Sequence, residues 1–166
     1  SRRQRQMCIR DSLNLVDKIR TAIPDISLTT DIIVGFPGET EEDFEETLDV
    51  VSKCGYDTAF TFLYSRRSGT PAAEMEQIPQ DVAKERFNRL LALVQQEGRI
   101  RSSRFEGSVQ EVLVEEESRE KGIFTGRTEY NLLVHFPGTA DLLGKYVKVS
   151  LDECHGFYYM GSLVEE

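Results

Sequence analysis

A glycine-rich turn, Gly35-Phe-Pro-Gly-Glu39, has the residue types most suited to binding a small molecule. It follows the short apolar run Leu28–Val34 and precedes an acidic helix start at Thr40. Glycine at positions 35 and 38 allows the backbone to adopt positive φ or to approach a ligand closely. Parallel α/β sheets bind ligands at the carboxyl ends of their strands. The pattern therefore predicts a ligand site at this turn; the alternative is that glycine and proline serve only the chain reversal.

Arginines beside small polar residues form a second set of candidates, for binding RNA. A guanidinium group can bind a phosphate through two hydrogen bonds and can stack on a base. The candidates are Arg66, Arg67, Arg127, Thr128 and Asn131. The alternative is that the first two arginines are solvated and that Arg127 pairs with Glu129 or another neighbouring acid.

A strand, a capped helix and a second strand are the elements that would position the turn. The β-branched run Leu28–Val34 is typical of a strand buried on both faces. Thr40 and Asp43 form a capping-box pair, and Gly55 ends the helix. The alternating segment 56–64 predicts the next strand, parallel to the first.

Two further helices are predicted, from Leu13 to Ala22 and from about Pro79 to Arg104. Residues 13–104 thus supply two parallel strands and three helices, and two strands cannot bury both faces of a parallel sheet. We therefore expect the chain to be the C-terminal part of a larger TIM-like (β/α) barrel whose other strands lie upstream.

After Arg104 the hydrophobic period changes from helical to alternating. The change predicts a domain at residues 105–166, a small five-stranded OB-like antiparallel β-barrel. The five expected strands are Val109–Glu115, Gly122–Thr128, Asn131–Phe136, Lys145–Leu151 and Phe157–Leu163.

Charge and cysteine content limit the possible partners. The net charge is −9, and residues 105–166 hold 12 acids and 5 bases, a net charge of −7. This balance argues against broad nucleic-acid binding, which depends on phosphate neutralisation.

Cys8, Cys54 and Cys154 are scattered, which indicates a reducing compartment, and no metal site can be inferred. Without a long apolar run or a signal peptide, we expect a cytoplasmic protein with no membrane association.

The segment 1–12 is expected to be non-native or disordered. It begins with the basic tract Ser1–Gln6, and such tracts are commonly solvated chain ends. The hexapeptide Met7–Ser12 is what a transposase adaptor used for sequencing libraries encodes in frame. On that interpretation Cys8 carries no meaning for the protein.

Three segments carry a resemblance to one enzyme family. Thr30–Phe44 is similar to the fifth-strand motif of the radical S-adenosylmethionine (SAM) methylthiotransferases. Tyr64–Ala73 resembles that family's Tyr-Ser-x-Arg-x-Gly-Thr-Pro-Ala-Ala segment after the sixth barrel strand. Residues 105–166 resemble its RNA-binding TRAM domain, where Gly126-Arg-Thr-Glu-x-Asn131 and Val134-x-Phe136 are typical of the subgroup that acts on tRNA isopentenyladenosine. The resemblance covers about residues 13 to 166.

The resemblance implies a radical SAM enzyme with two [4Fe-4S] clusters. Cluster ligation needs grouped thiolates, and the chain has no Cys-x-x-x-Cys-x-x-Cys, so the ligands are expected upstream and no catalytic residue is assigned here. The implied partners are the tRNA anticodon stem-loop and an iron–sulfur or sulfur donor protein, with the enzyme a monomer. The residues implied in SAM binding are Ile33, Gly35, Pro37, Gly38, Glu39, Phe62, Leu63 and Tyr64.

Two other functions stay open. The first is a sister methylthiotransferase that acts on threonylcarbamoyladenosine or on a ribosomal protein. The second is a non-catalytic RNA-binding module. For Ile33 and Phe62, the alternative to a SAM contact is an ordinary place in the hydrophobic core.

Overall fold

A computed structural model of the chain describes the backbone of residues 2–164 and the side chains of residues 9–164. The chain divides into two compact units, Ser1–Gly98 and Arg99–Glu166. The elements in chain order are α1 Arg2–Ala22, β1 Thr29–Val34, α2 Glu41–Cys54, β2 Thr58–Leu63, α3 Pro71–Glu74, α4 Gln80–Ser102, β3 Val109–Glu117, β4 Ile123–Thr128, β5 Leu133–Pro137, β6 Tyr146–Cys154 and β7 Tyr158–Leu163.

The first unit is built on a two-stranded parallel sheet. Strands β1 and β2 pair in register from Thr29 opposite Thr58 to Val34 opposite Leu63. The expected parallel strand–helix–strand unit is therefore confirmed. Its core joins one face of β1 to helices α2 and α4, and the buried members are Val34, Phe44, Val51 and Leu90.

The opposite face of this sheet is exposed. Ile33 is 58% exposed and Phe62, its partner in the register, is 50% exposed. Phe60 on the same face is also exposed. The expectation that β1 is buried on both faces is wrong for the described residues, because the helices cover one face only. Ile33 and Phe62 are therefore not core residues of this chain.

Both ends of α2 form as the sequence predicts. The Asp43 N–H donates to Thr40 Oγ1 at 3.2 Å, and the Thr40 N–H donates to Asp43 Oδ2 at 3.0 Å. Gly55 adopts the left-handed conformation and its N–H donates to Val51 O. Cys54, the last residue of α2, is fully buried. The capped helix therefore gives the preceding turn a fixed attachment point.

Helix α1 begins at Arg2, well before the expected start at Leu13. Its sequence contains neither glycine nor proline, so nothing in residues 2–12 breaks a helix. The expectation that residues 1–12 are non-native or disordered stays a prediction. The Cys8 side chain lies outside the described residues. Near the other end of α1, Arg20 donates to the carbonyl oxygens of Cys54 and Gly55.

The second unit is a closed barrel in the strand order β3-β4-β5-β7-β6. Four neighbouring pairs are antiparallel, but β5 and β7 run parallel. This pair is the one exception, among the described strands, to the antiparallel pairing expected of the OB-like barrel. The reason is geometric: strand direction cannot alternate all the way round a closed ring with an odd number of strands. At least one neighbouring pair must run parallel.

The barrel interior is filled by the inward-pointing side chains of all five strands. In β6, Val149 and Leu151 are fully buried and point inward, whereas Tyr146 is exposed and points outward. The buried Tyr159 hydroxyl donates to the Ser102 carbonyl oxygen, and burial raises the pKa of Tyr159 above its usual value. The end of α4 thus packs with the barrel, which explains why this unit starts before the boundary at 104–105 expected from the change in hydrophobic period. None of the described helices has the length and hydropathy needed to cross a bilayer.

Candidate functional site

The turn after β1 is a tight chain reversal. The Glu39 N–H donates to Phe36 O at 3.0 Å. Pro37 occupies the second position and Gly38, with φ of 87°, the third, which is the pattern of a type II turn. Gly35 has φ of 79°, and a Cβ atom there would lie 3.0 Å from Ala83 Cβ. Both glycines therefore adopt the positive φ that the sequence analysis allowed for them.

A buried ion pair fixes this turn. Arg86 is 5% exposed, and its Nη1 lies 2.8 Å from Glu39 Oε1 and 3.1 Å from Glu39 O. The other carboxylate oxygen, Oε2, accepts the Gly35 N–H at 3.1 Å. The Glu39 carboxylate is thus engaged within the protein on both oxygens. Its observed role is to hold the turn, while a contact to SAM stays a prediction.

The ion pair continues along the first turns of α2. Arg86 Nε lies 3.0 Å from Glu41 Oε2, and Arg89 bridges Glu41 and Glu45 from a more exposed position. Hydrogen bonds from Arg89 and Arg86 lower the pKa of Glu41. The sequence analysis did not select Arg86. No local signal marks it, since its partners are more than 40 residues away.

A cavity of about 290 Å³ lies at the carboxyl ends of β1 and β2. Its volume is near the lower end of the range for small-molecule sites. The lining residues are Gly35, Leu63, Tyr64, Ser65, Gln77, Ile78, Gln80 and Ala83. The turn therefore borders a cavity where the sequence placed a ligand, and the segment from Gln77 to Ala83 was not anticipated.

Apart from Glu39, described above, the predicted SAM-binding residues fall into three groups. Gly35, Leu63 and Tyr64 line the cavity. Ile33 and Phe62 lie side by side on the exposed sheet face, where they present an apolar surface suited to a purine ring. Pro37 is buried in the turn, whereas Gly38 is exposed. Phe36, which the sequence analysis did not select, packs edge-on against Tyr64 with the ring centroids 5.0 Å apart.

The loop after β2 exposes both of its predicted RNA-binding arginines. Arg66 and Arg67 are exposed, and the Thr70 hydroxyl donates to the Arg67 carbonyl oxygen at 2.8 Å. This bond shapes the loop without using either guanidinium group. Binding of RNA by these two arginines stays a prediction.

The predicted RNA-binding residues of the barrel meet at the end of β4. Arg127 donates from Nε to Glu115 Oε2 at 3.2 Å and from Nη1 to Asn131 Oδ1 at 3.1 Å. Thr128 is 5% exposed, and its hydroxyl accepts the Leu132 N–H at 3.3 Å. Thr128 therefore holds the turn from inside. Of the acids that the sequence analysis allowed, Glu129 or another neighbour, the one that pairs with Arg127 is Glu115.

Among the described residues, no group of three or more histidine, cysteine or acidic side chains is placed to hold a metal ion. Cys54 and Cys154 are free thiols. The described part of the chain thus offers no candidate metal centre of its own.

Comparison with known families decides the nature of the barrel. Residues 103–164 match the family model of the TRAM domain. The barrel is a TRAM domain. Its match begins within one residue of Ser102, whose carbonyl oxygen accepts the Tyr159 hydroxyl. The OB-like barrel expected from the sequence is confirmed, with the parallel β5–β7 pair as the exception to antiparallel pairing.

Similar proteins extend the match beyond the TRAM domain. A tRNA-2-methylthio-N(6)-dimethylallyladenosine synthase of Lachnoclostridium phytofermentans is 60% identical over 158 residues, covering 94% of this chain and 35% of that protein. The proteins of the same name from Acetivibrio thermocellus and Clostridium botulinum are 53% and 51% identical over 156 residues each, with 93% of this chain and 32% and 34% of theirs covered. The chain spans about a third of the length of these curated relatives. The resemblance inferred from the motifs is confirmed.

Proposed function

We propose that the chain is the C-terminal part of a tRNA methylthiotransferase that adds a methylthio group to C2 of N6-isopentenyladenosine beside the anticodon. The observation that carries the proposal is the 60% identity over 94% of the chain to a synthase named for this nucleoside. A match over 158 residues takes in both units, so it does not rest on the TRAM domain alone.

The first unit would contribute one wall of the SAM site. SAM, with two [4Fe-4S] clusters held by cysteines outside this chain, supplies the radical chemistry and the methyl group. Ile33 and Phe62 would cover the adenine ring with their exposed apolar side chains. The type II turn at Pro37 and Gly38, fixed by the Glu39–Arg86 ion pair, would let the backbone approach the ligand closely.

Other features of the full protein belong to the same proposal. The 166-residue chain alone is inactive, because its three cysteines are too far apart in sequence to form a Cys-x-x-x-Cys-x-x-Cys ligand set. The full enzyme is cytoplasmic and monomeric and receives sulfur from a donor protein. Its substrate is the anticodon stem-loop of tRNA, bound in part by the TRAM domain.

Nucleoside analysis tests the function directly. A strain that lacks the full-length gene should lose 2-methylthio-N6-isopentenyladenosine from its tRNA and accumulate N6-isopentenyladenosine, as measured by mass spectrometry. Restoring the gene should restore the methylthio nucleoside. Loss of the methylthio form of threonylcarbamoyladenosine would instead identify the sister enzyme. Unchanged tRNA nucleosides would contradict the proposal and favour a ribosomal-protein substrate or a non-catalytic module.

Replacing Arg127 tests the predicted RNA contact at the end of β4. Arg127→Ala should weaken tRNA binding of the full-length enzyme by roughly 1–3 kcal/mol, the range for a charge-assisted hydrogen bond or one stacked base. SAM affinity should not change. Glu115→Gln is the matched variant: it removes the acid that pairs with Arg127 at 3.2 Å, so tRNA binding should strengthen. If the parent, Arg127→Ala and Glu115→Gln bind tRNA with equal affinity, Arg127 does not contact the RNA and only holds the turn.

A further inference from the structure

An aromatic cluster on the TRAM domain contains both histidines of the chain, His135 and His155. Both rings contact Tyr158. The His155 ring stacks on it with the centroids 5.0 Å apart and the planes at 11°, and the His135 ring meets it edge-on at 5.1 Å. The function proposed above uses none of these three side chains.

The barrel architecture fixes this cluster on the outer surface. Val134 and Tyr159 point into the core, so their chain neighbours must point outward, because side chains alternate along a strand. The parallel pairing of β5 with β7 then brings His135 and Tyr158 together across the strand pair. The His135 ring is oriented by a 2.9 Å hydrogen bond between its Nδ1 and the Thr125 hydroxyl.

The hairpin between β6 and β7 adds a further aromatic side chain. Phe157 at its tip is 81% exposed, the highest value among the large hydrophobic side chains of the described residues. The hairpin is held at its base by the His155 N–H, which donates to Tyr158 O at 2.9 Å. Its Gly156 carbonyl oxygen accepts the Ser102 hydroxyl at 2.8 Å. Phe157 thus presents a large apolar ring to solvent on an anchored hairpin, one residue from Tyr158.

The charge of the domain restricts what this surface binds. With a net charge of −7 for residues 105–166, and with Glu153 Oε2 3.3 Å from His155 Nε2, an interaction based on phosphate neutralisation is disfavoured. Stacking on bases does not itself rely on phosphate neutralisation and tolerates any sequence, because every base has a π-face. In five-stranded OB-type barrels, oligonucleotides lie across the second and third strands and the loop between the fourth and fifth. Here those elements are β4, β5 and the β6–β7 hairpin.

We propose that Tyr158, His155, His135 and Phe157 form a base-stacking site for unpaired nucleotides of RNA. The identification of that RNA with the loop of a tRNA rests on the proposed function. Arg127 lies on the same outer surface, since it pairs in register with Leu133, and Leu133 pairs with Tyr158. Arg127 therefore lies two strands from Tyr158 on the outer surface, and the stacking site itself consists of the rings on β5, β7 and the β6–β7 hairpin.

A tryptophan reporter tests whether bases stack at this site. The chain has no tryptophan, so Tyr158→Trp would give a fluorescence signal from this position alone. An RNA hairpin with an unpaired loop should quench that signal, whereas a fully paired duplex of the same stem should not. The matched control is Tyr146→Trp, at the start of β6, far along the strand from the β6–β7 hairpin and 68% exposed. Equal responses at the two positions would overturn the proposal.

Affinity measurements with the 166-residue chain give an independent readout. Phe157→Ala and Tyr158→Leu should each weaken binding of the looped hairpin roughly 5- to 150-fold, the range expected for one stacked base. Tyr158→Phe keeps the ring and should bind like the parent, and Tyr146→Ala should bind like the parent as well. Circular dichroism would check that each variant keeps the barrel fold.

The possible failures are distinguishable. If the parent chain binds the looped hairpin and the ring variants bind it equally well, the stacking site is wrong and RNA is bound elsewhere. If the parent chain does not bind the looped hairpin, the stacking site is also wrong. In both cases the nucleoside analysis of the gene-deficient strain still decides the proposed enzyme function on its own.

Discussion

Replacing Gly126 with alanine is expected to be among the most damaging single substitutions in the TRAM domain. An alanine Cβ there would lie 2.4 Å from Leu113 O and 2.5 Å from Val112 Cγ1. Neither atom can move freely, because Leu113 O belongs to a paired strand and Val112 is fully buried. Overpacking of a closed barrel against its own backbone should cost about 3 kcal/mol of unfolding free energy, the upper end of the typical range. Urea unfolding of the barrel, followed by circular dichroism, measures it.

Gly144→Ala separates crowding from backbone conformation. Gly144 has φ of 75°, but no atom lies within 4 Å of the position its Cβ would take. Alanine there should cost only about 1–2 kcal/mol, the penalty of the left-handed conformation. Gly161→Ala, whose Cβ would lie 2.4 Å from Ser150 O, should resemble Gly126→Ala. A loss for Gly126→Ala no larger than that for Gly144→Ala would contradict the close approach of β3 and β4.

Removal of Arg86 is expected to have the largest effect on the first unit. Arg86→Met would leave the Glu39 carboxylate, whose side chain is 14% exposed, without its cationic partner. Truncating one partner of a buried ion pair typically costs about 3–5 kcal/mol, because the remaining charge stays desolvated. The turn at Pro37 should loosen along with this loss. Hydrogen exchange of the amides of residues 35–45 should therefore become faster in the variant.

Arg89→Met is the matched control for this substitution. Arg89, also on α4, pairs with Glu41 and Glu45 of α2, but its side chain is 37% exposed. Exposed ion pairs contribute about 0–1 kcal/mol, so this variant should exchange nearly like the parent. The double variant Arg86→Met with Glu39→Gln should recover part of the loss, since no buried charge remains. Equal exchange rates in the Arg86 and Arg89 variants would show that burial of the ion pair is unimportant.

The sequence predicted best what depends on neighbours along the chain. The Thr40–Asp43 capping box and the end of α2 at Gly55 form as expected, because a helix end is specified within about four residues. The alternation of apolar and polar residues after Arg104 located the barrel strands, because successive side chains of any strand point alternately inward and outward. The direction of the β5–β7 pair could not be read in this way, since it follows from closure of the whole ring.

Contacts between distant segments account for the residues that sequence reasoning missed. Arg86 meets Glu39 across 47 positions, and nothing near Arg86 in the sequence distinguishes it from a solvated helix residue. Arg127 pairs with Glu115, which lies 12 positions earlier in the chain on the neighbouring strand β3. The stacked rings of His155 and Tyr158 likewise depend on a hairpin whose geometry the pattern did not reveal.

Closure of the strands into a ring also governs how the domain behaves towards other chains. Every strand of the barrel has a hydrogen-bonded neighbour on both sides, so no row of N–H and C=O groups is left as a template for a foreign strand. Such a domain can remain at high concentration without aggregating edge to edge. The surface that remains for intermolecular contact is made of side chains. Its specificity can therefore change residue by residue while the backbone stays the same.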